Sequence, residues 1–161
     1  MAFPQILAEG DYEEIRSRLG GVSSSVVSDE LIGGISYGQL AELAVRRAYP
    51  NWADLIDATK VGAATAADNA IALRTAVINL TAAYLVPGII KTLKSENISD
   101  YSYTNYGPED WSKLSDGLMR AYRGSLGNIE GATELSAPAM QVITGPTRIS
   151  EQSWQGDDYV Q

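Results

Sequence analysis

The stretch from Thr75 to Ile90 runs for sixteen residues without a charge. It forms the heart of a helix predicted over about 66–93, where Ala66 and Ala67 are good helix formers and Asp68 suits the first turn. Ile71, Leu73, Val77, Ile78, Leu80, Tyr84, Leu85, Ile89, Ile90 and Leu93 surround much of its circumference. A helix apolar on most sides must be covered on most sides. The uncharged run falls short of the roughly 20 residues that cross a bilayer. It also carries Asn79, Thr81, Pro87 and Gly88, so a buried core helix is favoured over a membrane span. Pro87-Gly88 predicts a kink or break near Val86. One chain of 161 residues offers limited cover. Ile71, Ile78 and Leu85 are therefore expected to pack against another subunit.

The remaining elements read as the cover. Tyr12, Ile15 and Leu19 recur at helical spacing over Asp11–Leu19, and Gly20-Gly21 stops that helix. Ser28 suits an N-cap ahead of Asp29 and Glu30. Leu31, Ile32, Ile35, Leu40, Leu43, Ala44 and Ala48 continue with helical periodicity, but Gly33-Gly34 predicts two helices meeting near Ile35 or Ser36. Pro50 ends this region. Trp52, Leu55 and Ile56 suggest a short turn that plugs the core, and 60–65 reads as a small-residue loop. Pro108 suits the first position of a last helix, with Trp111, Leu114, Leu118, Ala121 and Tyr122 as its stripe. Arg120 and Arg123 are expected to close it, with Gly124 or Gly127 as the cap.

Two segments break this grammar. Tyr101, Tyr103 and Tyr106 interleave with polar residues, which predicts a short strand or hairpin near 98–106. They are candidates for a subunit or tail contact, or for shielding of the chain's own core. After Asn128 periodicity fades. Five acidic residues against Arg148 leave 129–161 at −4, half of the chain's formal charge of −8. Met140, Val142, Ile143, Ile149, Trp154 and Tyr159 are its apolar points and the candidates for partner binding. The segment reads either as an arm that orders on a partner or as a disordered tail. The expected division is a helical domain at 1–128 and an extended C-terminal arm at 129–161. The fold class is mainly α, a small bundle of about four helices.

The chain has no histidine and no cysteine. That excludes Cys nucleophiles, thiolate zinc sites and His-based triads. Asp54 and Asp57, three apart, could share a helical face toward a divalent ion, but a solvated surface explains them as well. Glu109-Asp110 complements a helix dipole. No metal, no cofactor and no enzymatic activity are expected. The acidic balance disfavours a grip on nucleic acid or on an anionic membrane.

The order of parts resembles a known family. It comprises a short helix, a second helix ending Ala-Val-Arg-Arg-Ala-Tyr-Pro (44–50) with Trp52 after it, and a long helix carrying Leu73–Pro87. A closing helix and an irregular tail follow. Over about 11–128 this is similar to the head–tail connector, or adaptor, proteins of tailed bacteriophages. The resemblance implies a structural virion protein at the neck, made in the host cytoplasm. It implies a homo-oligomeric ring of twelve subunits beneath the portal protein, docking tail or neck proteins. DNA would pass through the channel without specific binding, and the arm would reach the portal. The Tyr-rich 95–107 segment and the long tail depart from that pattern. The alternatives are a small helical regulator that binds a partner through its arm, and an enzyme working without histidine.

Overall fold

In the computed structural model, residues 6–96 and 108–131 are described, and these form helices, turns and loops with no strand among them. The 98–106 strand or hairpin with Tyr101, Tyr103 and Tyr106 lies outside the described residues. So does the arm from 132 onward, with Met140, Val142, Ile143, Ile149, Trp154 and Tyr159. After a 3-10 turn at Glu9–Asp11, seven α-helices occur among the described residues: α1 Tyr12–Arg18, α2 Asp29–Ile32, α3 Gly38–Ala48, α4 Trp52–Leu55, α5 Ala58–Val61, α6 Ala63–Glu96 and α7 Pro108–Gly127. Three of them, α2, α4 and α5, are single turns of four residues.

Helix α6 is the axis on which the rest packs: α7, α3, α1, α4 and α5 all lie against it. Leu73, Ala76, Val77, Ile78, Leu80, Ala82, Leu85, Val86 and Ile89 are buried along it. Its most apolar window is long and apolar enough to cross a membrane, yet 67% of that window is buried against the chain's own helices. This is the arrangement of a core helix. Ile15, Leu19, Val27, Ile32, Val45, Leu55, Trp111 and Leu118 supply the opposing surface. Each large aliphatic side chain so enclosed contributes about 1.5–3 kcal/mol relative to exposure.

Local signals account for most boundaries. Gly20 and Gly21, both at positive φ, end α1. The Ser28 hydroxyl accepts from the Leu31 N–H and starts α2. The Gly33-Gly34 interruption separates α2 from α3, as the glycine pair predicts. Pro108 opens α7.

Two expectations need correction. Helix α6 begins at Ala63, and the loop expected at 60–65 shrinks because Ala58–Val61 forms a turn of its own. Gly62, at φ 89°, is the one residue between the two helices. Asp57 makes this possible: its carboxylate accepts from the Thr59 N–H and caps α5. Second, Pro87 lies inside α6 without ending it. A proline within a helix costs about 3 kcal/mol. Here Pro87 is exposed while Leu85, Val86 and Ile89 on either side are buried, which holds both halves on the core. Helix α7 runs past Arg120, Arg123 and Gly124 and ends at Gly127, one of the two glycines expected to close it. Just beyond α7, Ile129 is 7% exposed and packs with the core.

Candidate functional site

Helical periodicity locates apolar faces but says nothing of where buried polar groups find partners. Among the described residues those groups lock segments together. Asp11, fully buried, accepts from the Ala8 N–H at 2.8 Å and from Arg74 Nε at 2.6 Å, with Arg74 Nη2 as a further donor. This ties the start of α1 to α6. Arg16, buried, donates from Nε to the Val27 carbonyl at 2.9 Å and pairs with Glu13 and Asp29. Burial works against its charge, but the hydrogen bonds and charges of Asp29 and Glu13 outweigh it and hold its pKa above the ordinary value. Glu42, also buried, accepts from the Ile6 and Leu7 N–H groups at 3.0 and 2.7 Å and pairs with Arg46 at 2.9 Å. Arg46 in turn lies 5.1 Å from the centre of the Trp52 ring, within cation–π range.

Asn69 binds three places at once. It is fully buried on α6. Its Nδ2 donates to the Leu55 carbonyl at 2.9 Å and to the Glu130 carbonyl at 3.0 Å. Its Oδ1 accepts from the Glu130 N–H at 2.9 Å. Apolar periodicity does not mark Asn69. The available signal was a poor helix former set in a run of alanines.

The hydroxyl of Tyr49 donates to the Leu126 carbonyl at 3.2 Å, joining α3 to α7. Tyr84 and Tyr122 pack on the same core. Burial raises the pKa of both, and for Tyr122 the neighbouring Tyr84 and Tyr49 raise it further.

Among the described residues the outer surface carries large apolar side chains in three places, one of them the single residue Ile56 just after α4. Ile35 is 78% exposed, and Leu31, Leu40 and Leu43 are about two-fifths exposed on or beside α2 and α3. Leu40, Leu43 and Arg47 recur at i, i+3 and i+7 on the solvent side of α3. A cleft of about 120 Å³ opens beside them, lined by Val26, Leu31, Tyr37, Leu85, Gly88 and Ile89. Elsewhere, Ile71 is 64% exposed on the first half of α6.

This divides the three residues expected at a subunit contact. Ile71 is free to meet a neighbour. Ile78 and Leu85 are each 1% exposed within the single chain and belong to its own core. The short helices α4 and α5, together with α1, α3 and α7, cover more of α6 than its length suggested. Of the carboxylates considered for metal binding, Asp54 pairs with Lys60 at 2.5 Å and Asp57 caps α5. Glu109 and Asp110 are exposed in the first turn of α7. No group of three potential ligands gathers among the described residues. Comparison of the chain with family models, curated proteins and solved structures finds no match.

Proposed function

We propose that this chain is a structural assembly protein of the head–tail connector type, forming a ring between portal and tail. The observation that carries the reading is that the most exposed apolar side chains lie on different helices, Ile35–Leu40–Leu43 at α2–α3 and Ile71 on α6, with Ile56 a lesser one after α4. A closed ring needs two different surfaces on each subunit, one meeting the other on the next copy. In a body that buries most other large aliphatic side chains, the separation of the α2–α3 patch from Ile71 suits that geometry. The buried polar residues support the same reading, since Asp11, Arg16, Glu42 and Asn69 all hold segments of the body together. The segment beyond Gly131 would contact the portal, and the acidic surface would let DNA slide past without adhering.

Native mass spectrometry and negative-stain imaging of the chain, alone and with a portal ring, test the proposal. Rings that Ile35→Asp or Ile71→Asp disperse without unfolding the monomer are expected. Absence of both self-association and portal binding at every concentration would overturn it.

A further inference from the structure

We propose that Asn69 anchors the exit of the C-terminal segment, fixing the direction in which residues beyond Gly131 leave the body. A chain emerging from a helix end normally has a free choice of heading. Here helix α7 ends at Gly127 and the next four residues are held. Ile129 is buried among core residues. Glu130 is gripped at both of its backbone groups by one carboxamide. That pairing has the form of a strand rung, with a side chain standing in for the second strand. Both functional atoms of Asn69 are thereby committed, and the remaining bond goes to Leu55 at the end of α4. Gly131 follows at φ +74°, a conformation that strains a residue with a side chain, and a Cβ added there would come within contact distance of the Leu55 side chain. The exit is thus set by a buried side chain, a core contact and a glycine turn in succession.

The anchor also links the departing segment to two parts of the body. A pull on Glu130 acts on α6 through Asn69 and on α4 through the shared bond to Leu55. That the segment bears such a pull from a partner rests on the connector reading. The anchor itself does not.

The test uses the full chain with Glu130→Cys as its single cysteine, carrying a spin label, and native-state hydrogen exchange of the Glu130 amide in the unlabelled protein. In the parent, the label spectrum should show restricted motion and the amide should be protected. Asn69→Ala should free the label and speed exchange at least tenfold. Should Asn69→Ala fail to fold, Gly131→Val perturbs the exit from an exposed position and should likewise free the label. An unprotected Glu130 amide in the parent overturns the proposal, as does an unchanged label spectrum in folded Asn69→Ala or in Gly131→Val. Neither readout needs a partner, so failure of the connector reading would leave this result standing.

Discussion

Replacing Glu42 separates two roles that one carboxylate performs. Its Oε1 receives the N–H groups of Ile6 and Leu7, and its Oε2 receives Arg46. Glu42→Ala removes all three bonds. A buried donor left without a partner costs about 1–3 kcal/mol. The Leu7 N–H is buried and would bear most of that cost, whereas the Ile6 N–H is partly open to water. The expected loss is therefore about 2–3 kcal/mol, the upper part of the range for one buried donor. Glu42→Gln keeps an amide oxygen for both N–H groups and loses the ion pair. The two side chains of that pair are 21% and 11% exposed, so it is worth more than a surface pair but is still partly screened. A loss of about 1 kcal/mol is expected. Urea unfolding followed by circular dichroism measures both. Losses for the two variants within about 0.5 kcal/mol of each other would refute the assignment of the larger role to the backbone donors.

Three further outcomes follow from the same geometry. Gly38→Ala would place a methyl group against the Ile32 carbonyl oxygen, closer than carbon and oxygen tolerate. The crowding should outweigh the helix-propensity gain and lower stability by about 1–3 kcal/mol in thermal melts. Truncation after Gly131 should leave the melting temperature of the body nearly unchanged. Truncation after Asn128 removes Ile129 and leaves Asn69 with two unmet bonds, so it should cost about 2–4 kcal/mol. For Tyr84 and Tyr122 the folded pKa lies above the unfolded value of about 10. Their contribution is full below pH ~10 and is lost as pH rises through the folded values. Tyr122→Phe, which cannot ionise, should extend folding to higher pH, as read by phenolate absorbance alongside circular dichroism.

What could be read from the sequence was local. The long helix, the Gly20-Gly21 stop, the Ser28 cap, the Gly33-Gly34 split and the Pro108 start each depend on residues a few positions apart. The polar locks were not legible, because their partners are distant in the chain. Asp11 reads as a first-turn acid suited to a helix dipole, yet its partner is Arg74, 63 residues away. Asn69 and Glu130 are 61 apart. Periodicity also overstated the bare surface of α6. It counts apolar residues on the helix but not the distant segments that cover them, so it turns Ile78 and Leu85 outward although each is 1% exposed. Ile71 differs from them only in its position near the start of the helix, where cover is thin. The cleft beside Leu31 and Tyr37 is formed by four separate segments and has no signature in any one of them.

Pro87 carries a consequence for how the body opens. It offers no N–H to the Ala83 carbonyl, so the hydrogen-bond ladder of α6 has a missing rung there. Cooperative units tend to divide where such coupling is weakest. The last turns of α6 can therefore loosen as a separate unit while the part that carries Asn69 and Asn79 stays closed. In native-state hydrogen exchange, amides beyond Pro87 should open with a lower free energy than those of Ala76 to Thr81. One helix in the sequence would then behave as two in its fluctuations.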